Sequence, residues 1–557
     1  MAPFSVDESK YPDDTEVSRL QMPSLGKAKK EVVPRKRMAK DWSGYLTEES
    51  AARRPSALKA AFRHLSIPGI ISLGGGLPLP AYFPIHEVTV KVPRMGKWSE
   101  KETATHGQVI SIAKYPKTRP AVIGEHVNGI NTVEWSDDAL AISRAEVPTV
   151  GLSTTLQYGL GTGEPNLVGF LKQHTQMVHH PPYEDWSTTL TCGNTYSFYT
   201  CLRMLVERGD YIVMEDYTYS SAISTCGPLG IKVVGVDMDE QGMMPQGLDY
   251  TMMMWDVRRR GARKPRVIYL VPYLFPTQQT FNEMWLMMWC RTGQNPTGAS
   301  MSLRRRKEIY GVCQKHNLII IEDEPYYFLQ MDPYNGKPTP VPDLNSQGLV
   351  NALTPSFLSL DVDGRVLRLD SLSKTVAPGL RLAWISGPAQ LTERVLRHLE
   401  LSTQAPAGLS QSVVYDLLAK HWSHDGFLGW LGYIRKEYTR RRDVAAEALD
   451  QHIPRGVASW TVPTAGMFFW VKITAPQSFW YEGSLEQIIF ERCLEEKVLV
   501  IPGGFFKAEG DPEGSGGVGL EEDGTCYFRG TFAAAEEDEV VRGIERFGKS
   551  IRAVFDL

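Results

Sequence analysis

The chain has 557 residues, of which 42% are hydrophobic and 22% charged, and 60 basic against 64 acidic residues give a net charge of −4. These proportions are those of a globular protein long enough for more than one domain, and they exclude a general electrostatic affinity for nucleic acid or anionic membranes. The seven cysteines are scattered without CxxC spacing, and no apolar stretch is long enough to span a bilayer. We therefore expect no metal site, no disulfide framework and no membrane segment, and a reducing compartment, the cytoplasm by default.

The N-terminus is predicted to be a disordered arm over residues 1–45. Its first part is polar and lacks periodicity, with acidic residues up to Glu16 followed by basic runs at residues 27–30 and 35–37. Such basic runs also occur in nuclear-localisation signals, but a solvated arm is the simpler interpretation.

An α/β domain is predicted over residues 151–410, because short apolar runs alternate there with helical patterns. From residue 411 to 557, helices mix with strand-like runs at residues 466–471 and 498–501, which predicts a smaller α+β domain. The larger domain should contain a mainly parallel sheet with helices on both faces, and ligands in such sheets bind at the carboxyl ends of the strands. Its candidate strands are residues 211–214, 233–236, 267–271, 318–321, 366–369 and 382–386.

The segment from Ser371 to Arg381 suggests one particular ligand. The hydroxyls of Ser371 and Ser373 and the guanidinium of Arg381 suit a phosphate, and the amine of Lys374 can condense with an aldehyde. A phosphorylated aldehyde held in this way is pyridoxal phosphate. The plain alternative is a surface lysine ahead of a Pro-Gly turn.

Three further segments carry side chains that fit the same cofactor. Asn194 and Thr195 open a predicted helix whose free N–H groups suit a phosphate. Asp323 follows an apolar strand, where a carboxylate can pair with a pyridine nitrogen. Asn295 lies in a turn and can donate to the ring hydroxyl. Each segment has an ordinary interpretation as well: a capped helix, a solvated acidic turn and a loop.

Two more residues complete the candidate set. Tyr219 follows a predicted strand, where its ring can stack on a planar ligand. Arg529 lies in an apolar, strand-like run at residues 526–532, where a guanidinium is costly unless paired. A substrate carboxylate could supply that pair in bidentate fashion, and a structural ion pair would explain it almost as well.

Taken together, the chain resembles the fold-type-I aminotransferases. More narrowly, it is similar to the fungal-type aromatic amino acid aminotransferases and to the kynurenine/2-aminoadipate aminotransferases. The motifs that carry this resemblance run in order from about residue 50 to the end, and they include LQYGLGTGEPNLVGFL, GQNPTG, IIIEDEPYYFLQ, LRLDSLSKTVAPGLRLAWISGP, WTVPTAGMFFW and VLVIPGGFF.

The resemblance implies an aspartate-aminotransferase-like large domain and a role for each candidate. Lys374 would bind the cofactor covalently and move the proton, with Asp323 on the pyridine nitrogen and Tyr219 stacked on the ring. Tyr326 and Asn295 would contact the ring hydroxyl. Residues 46–150 would contribute to the small domain and to dimer contacts. The implied phosphate contacts are Asn194, Thr195, Ser371, Ser373, Arg381 and, from the neighbouring subunit of a homodimer with shared sites, Tyr158; the implied substrate-carboxylate contacts are Gly76 and Arg529.

The activity implied by the resemblance is a pyridoxal-phosphate-dependent transamination. The amino group of an L-amino acid (aromatic, kynurenine or 2-aminoadipate) would pass to a 2-oxo acid such as 2-oxoglutarate. Two alternatives stay open: a carbon–sulfur or other eliminating lyase that uses the same cofactor, and an inactive aminotransferase-like protein.

Residues 274–291, LFPTQQTFNEMWLMMWCR, depart from the family pattern by separating the strand that ends in Val271-Pro272 from the turn of Asn295. Six consecutive large apolar residues are unusual in a loop beside a polar site and would be an aggregation liability if exposed. Our hypothesis is that this segment is a translated intron. The alternative is a genuine insertion that loops out and returns, and an insertion that the fold does not accommodate would threaten the placement of Asn295.

Overall fold

The apolar runs of the middle of the chain become strands in the computed structural model, which describes residues 36–56, 77–116, 126–127, 130–131, 147–272, 294–298, 301–479, 481–508 and 524–557. The described residues from Arg37 to Leu557 belong to one compact unit, and the predicted domain boundaries stay predictions. The predictions made for Gly76, for residues 274–291 and for most of the N-terminal arm fall outside the described residues. The strands are β1 Glu87–Val92, β2 Gln108–Ala113, β3 His126–Val127, β4 Ile130–Asn131, β5 Trp186–Thr191, β6 Tyr211–Glu215, β7 Lys232–Val236, β8 Met238–Asp239, β9 Gly242–Met243, β10 Val267–Leu270, β11 Ile319–Asp323, β12 Val366–Ser371, β13 Ala383–Pro388, β14 Ala458–Thr461, β15 Phe468–Thr474, β16 Ile501–Pro502 and β17 Thr525–Thr531.

The helices of the described residues fill the connections between these strands. In that part of the chain no helix is long and apolar enough to cross a membrane. The helices are α1 Glu48–Ala52, α2 Glu100–His106, α3 Leu152–Thr155, α4 Pro165–His179, α5 Asn194–Leu205, α6 Ser220–Leu229, α7 Pro245–Met253, α8 Val257–Arg260, α9 Leu303–His316, α10 Ser346–Asn351, α11 Phe357–Leu360, α12 Ala389–Glu400, α13 Gly408–Tyr415, α14 Ser423–His452, α15 Leu485–Glu495 and α16 Glu537–Phe555.

Seven strands form one sheet in the order β5-β13-β12-β11-β10-β6-β7. The pairs from β12 through β11, β10 and β6 to β7 are parallel, whereas β13 runs antiparallel to both of its neighbours. The prediction of a mainly parallel sheet is therefore confirmed. The sequence did not predict β5, because its Thr-rich segment has no continuous apolar run.

Helices cover both faces of this sheet, as predicted. Ile319 and Ile321 of β11 pack with residues of α5 and α12, whereas Ile320 packs with residues of α7 and α9. This division follows from the alternation of side chains along a strand. The same alternation determines which polar residues at the strand ends lie on the same face of the sheet.

A second, antiparallel sheet has the strand order β14-β15-β17-β16. Helices α14, α15 and α16 contribute Leu449, Ile489 and Phe547 to the core beneath it. The prediction of a smaller α+β region is confirmed, although the strand expected at residues 498–501 is reduced to Ile501–Pro502. Arg529 lies on β17, so the second sheet supplies one of the candidate site residues.

Candidate active site

A cavity of about 330 Å³ lies where several strands of the large sheet end and the small sheet approaches them. Its size falls within the range of small-molecule sites, roughly 300–1,000 Å³. It brings together most of the residues that the sequence analysis selected. Those that line it are Asn194, Thr195, Tyr219, Asn295, Asp323, Tyr326, Ser371, Ser373, Lys374, Arg381 and Arg529.

One selected residue does not line this cavity, and a second lies outside the described residues. Tyr158 follows α3 and is 63% exposed, and it does not line the cavity of its own chain. Gly76 lies outside the described residues.

Lys374 lies three residues beyond the end of β12 and is only partly exposed. Burial lowers the pKa of its amine, and the positive charge of Arg529 lowers it further. Within the described part of the chain, the amine makes no hydrogen bond or ion pair with another residue. A lysine in such surroundings loses its proton more readily and becomes a nucleophile.

The hydroxyls and the guanidinium expected to bind phosphate are held close to the start of α5. Ser371 Oγ donates to Ser373 Oγ over 2.8 Å, and Arg381 Nη2 donates to the carbonyl of Cys192 over 2.9 Å. Gly193 precedes the helix with φ of 110°, and a Cβ there would lie 2.2 Å from Arg381 Nη2. Only glycine therefore allows the guanidinium to approach the helix N-terminus this closely.

Asp323 is buried at the end of β11, and both of its carboxylate oxygens accept a hydrogen bond. Asn194 Nδ2 donates to Oδ1 over 2.6 Å, and the hydroxyl of Tyr269 donates to Oδ2 over 2.8 Å. Burial raises the pKa of Asp323 to about 6, against the opposing effect of the two donors. The carboxylate is thus fixed in orientation and carries no salt bridge among the described residues.

The structure refines the expectation for Asn194. Its side-chain amide also donates to the carbonyl of Leu369 over 3.0 Å, so the side chain is directed to Asp323 rather than to a phosphate. Its main-chain N–H, at the first position of α5, stays available for an anion.

Arg529 has no carboxylate partner in the described ranges, which removes the structural ion pair as its explanation there. Its Nη1 donates to Asn295 Oδ1 over 2.6 Å. The ring centroids of Phe468 and Phe506 lie 4.3 and 4.5 Å from its Cζ atom. Burial lowers the pKa of its guanidinium, while Tyr326 and Tyr219 oppose this effect. The site therefore contains a partly buried cation that no described residue pairs with an anion.

Asn295 lies at the cavity because its neighbour Gln294 is anchored to the end of β6. Gln294 Nε2 donates to Glu215 Oε2 over 3.1 Å and to the carbonyl of Tyr217 over 2.7 Å. Its Oε1 atom accepts from the main-chain N–H of Thr297 over 2.8 Å. Residues 274–291 put the position of Asn295 in doubt, but in this structure Asn295 lines the cavity.

Tyr269 is a site residue that the sequence analysis missed. It is fully buried on β10 and also lines the cavity. A tyrosine in an otherwise aliphatic strand needs a partner for its hydroxyl, and this was the available signal. The identity of the partner depends on the pairing of β10 with β11, which local sequence does not specify.

Comparisons with known proteins agree with this arrangement. Residues 182–547 match the family described as aminotransferase class I and II. An aromatic amino acid aminotransferase of Schizosaccharomyces pombe is 38% identical over 524 residues, covering 93% of this chain and 98% of the relative. The mitochondrial kynurenine/alpha-aminoadipate aminotransferase of Bos taurus is 29% identical over 526 residues, covering 92% and 99%. The crystal structure of aminotransferase Aro8 from Candida albicans superposes with a TM-score of 0.78 at 38% identity, covering 94% and 100%.

The chain belongs to the class I and II aminotransferases, a family of pyridoxal-phosphate-dependent transaminases. The resemblance inferred from the sequence motifs is thereby confirmed. The residues present fit the cofactor of this family: the cavity combines an amine of lowered pKa, hydroxyl and guanidinium donors beside a helix N-terminus, and a buried carboxylate without a cationic partner among the described residues.

Replacement of Gly193 by alanine tests the close approach of Arg381. A matched control is Gly209→Ala, because Gly209 also has a positive φ, of 92°, but open space around its Cβ position. Both variants should lose about 1–2 kcal/mol of stability from the strained backbone. Only Gly193→Ala should also displace the guanidinium and weaken the binding of pyridoxal phosphate, by about tenfold or more. Fluorescence titration of the apoprotein measures the affinity, and equal affinities in the two variants would contradict the assignment.

Proposed function

We propose that this protein transfers the amino group of an L-amino acid to a 2-oxo acid in the cavity around Lys374. The donor would be an aromatic amino acid, kynurenine or 2-aminoadipate, and the acceptor a 2-oxo acid such as 2-oxoglutarate. The observation that carries the proposal is the meeting of Lys374, Asp323 and Arg529 at one cavity. The donor class is supported by the names of the Schizosaccharomyces pombe and Bos taurus relatives.

Lys374 would hold the cofactor and move the proton. When bound, pyridoxal phosphate supplies an aldehyde and an electron-withdrawing ring. The amine of Lys374 would hold the cofactor through this aldehyde. When the amine is free, it would act as the base that takes the proton from the substrate Cα atom and returns it as an acid. Its lowered pKa favours the neutral form that this task needs.

The remaining side chains would orient the cofactor. Asp323 would face the pyridine nitrogen and keep it protonated, and Tyr219 would stack on the ring. The hydroxyl of Tyr326 and the amide of Asn295 would contact the ring oxygen. Phosphate would be held by Thr195, Ser371, Ser373, Arg381 and the main-chain N–H of Asn194.

Arg529 would bind the α-carboxylate of both substrates. The amino acid and the 2-oxo acid share this group, so one guanidinium can serve both halves of the reaction. Phe468 and Val271 give the same cavity apolar walls against which an aromatic side chain can pack.

We also propose a homodimer with shared sites. The support is Tyr158, which is largely exposed and does not line the cavity around Lys374 in its own chain, although the resemblance assigns it to a phosphate. It would reach the phosphate in the neighbouring subunit. The cytoplasmic location stays a prediction, and the name of the Bos taurus relative places that protein in mitochondria.

An assay with a panel of substrates tests the activity. The holoenzyme is incubated with phenylalanine, tyrosine, kynurenine or 2-aminoadipate, with and without 2-oxoglutarate. We expect one glutamate for each 2-oxo acid released and no continued turnover without the acceptor, and no activity in Lys374→Ala. A parallel incubation with cysteine or a cysteine thioether tests the lyase, and continued release of pyruvate and of a thiol or sulfide without any acceptor would contradict the proposal.

Phe506→Leu tests how Arg529 is held. Phe506 is buried, with 2% of its surface exposed, and its ring contacts the guanidinium of Arg529. The neighbouring Phe505 is 63% exposed, so Phe505→Leu is the matched control. A cation–π contact contributes roughly 0.5–2 kcal/mol. Its loss should raise KM by about two- to thirtyfold for the amino acid and the 2-oxo acid alike, with little change in kcat. Unchanged KM values, or a rise for one substrate only, would count against a shared carboxylate site.

A further inference from the structure

The hydroxyl of Tyr269 is the donor to Asp323 that the proposed function leaves without a role. Tyr269 is fully buried on β10, and its ring packs against Phe198 of α5 with centroids 4.6 Å apart. This packing directs the phenol toward the neighbouring strand β11, where its hydroxyl donates to Asp323 Oδ2 at a distance of 2.8 Å. Since Asn194 occupies Oδ1, the two donors together prevent rotation of the carboxylate.

The proton of this hydrogen bond belongs to the phenol. Burial and the nearby charge of Asp323 raise the pKa of Tyr269 well above its usual range. Tyr269 therefore stays protonated and donates, and Asp323 accepts as the anion. A donor to the charged form of a carboxylate favours that form.

Other groups around Asp323 do not replace this donor. On β12, Asp370 raises the pKa of Asp323 and Arg368 lowers it, but Arg368 is itself paired with Asp370 and Glu322. The charge of Asp323 also raises the pKa of Cys201 on α5 and of Tyr326, and neither of these groups brings a positive charge. The direct donors are Asn194 and Tyr269.

We propose that Tyr269 is a positioning residue, whose hydroxyl keeps Asp323 charged and aimed at the pyridine nitrogen of the bound cofactor. This inference rests on the proposed function, because it gives Asp323 the role described there. Affinity for the cofactor should be present while Asp323 is ionised and should fall as the pH drops through the pKa of this carboxyl. Removal of the Tyr269 hydroxyl should raise the pKa of Asp323. The decrease in cofactor affinity on the acid side should then occur at higher pH.

The experiment compares Tyr269→Phe with Tyr310→Phe. Tyr310 is also buried and donates to a carboxylate, Asp361 Oδ1, over 3.0 Å, but it does not line the cavity. Each substitution removes one buried hydroxyl and keeps the ring. We expect comparable decreases in melting temperature for the two apoproteins. The dissociation constant of pyridoxal phosphate is then measured between pH 5 and 9 by absorbance titration, and only Tyr269→Phe should move the acid-side midpoint upward, by about one pH unit or more.

Asp323→Asn separates the inference from the proposed function. If it leaves the acid-side midpoint unchanged, the role of Asp323 is wrong, and the cofactor geometry of the proposed function fails with it. If it abolishes that dependence while Tyr269→Phe behaves like Tyr310→Phe, the inference on Tyr269 alone is overturned.

A second variant covers the case in which Tyr269→Phe does not fold. Site-specific Tyr269→3-fluorotyrosine keeps the shape of the side chain and makes the phenol a stronger donor. The acid-side midpoint should then move to lower pH. An unchanged midpoint, or a move to higher pH, would overturn the inference.

Discussion

Three consecutive carboxylates, Glu322, Asp323 and Glu324, are buried at the end of the central strand β11, where unpaired charge is costly. Side chains alternate along a strand, so Glu322 and Asp323 face opposite sides of the sheet. On one side, Arg306 approaches Glu322 to 3.4 Å and Glu324 to 3.3 Å. Arg368 lies 3.2 Å from Glu322 on that same side. On the other side, Asp323 receives two neutral donors and no cation among the described residues.

Among the described residues, this asymmetry leaves the negative charge of Asp323 without a paired cation. Strand β17 carries the converse, a cation without a paired carboxylate. Arg529 is held by two aromatic rings and by Asn295, with no carboxylate in the described part of the chain. Lys374 lines the same cavity. Burial and the positive charge of Arg529 both lower the pKa of its amine. A ligand that presents a protonated ring nitrogen to Asp323 and a carboxylate to Arg529 compensates both charges. Pyridoxal phosphate together with an amino acid has this distribution of charge.

The sequence predicted those site residues that can be recognised from residue type and spacing within one short segment. The spacing of Ser371, Lys374 and Arg381 and the position of Asp323 after an apolar strand led to residues that line one cavity. It could not predict contacts that depend on pairing between distant segments. The hydrogen bond of Tyr269 to Asp323 requires β10 beside β11, and the anchor of Asn295 requires Gln294 to reach Glu215. The antiparallel direction of β13 and the formation of the Thr-rich strand β5 likewise depend on pairing between distant strands, which overrides local propensity.

Chemical trapping on Lys374 tests the central claim most directly. The protein is incubated with pyridoxal phosphate, reduced with borohydride, digested, and mapped by mass spectrometry. We predict a phosphopyridoxyl modification on the peptide that contains Lys374, formed at one equivalent of cofactor, and no specific label in Lys374→Ala. Specific label on a different lysine, or the same label in the Lys374→Ala variant, would contradict the account.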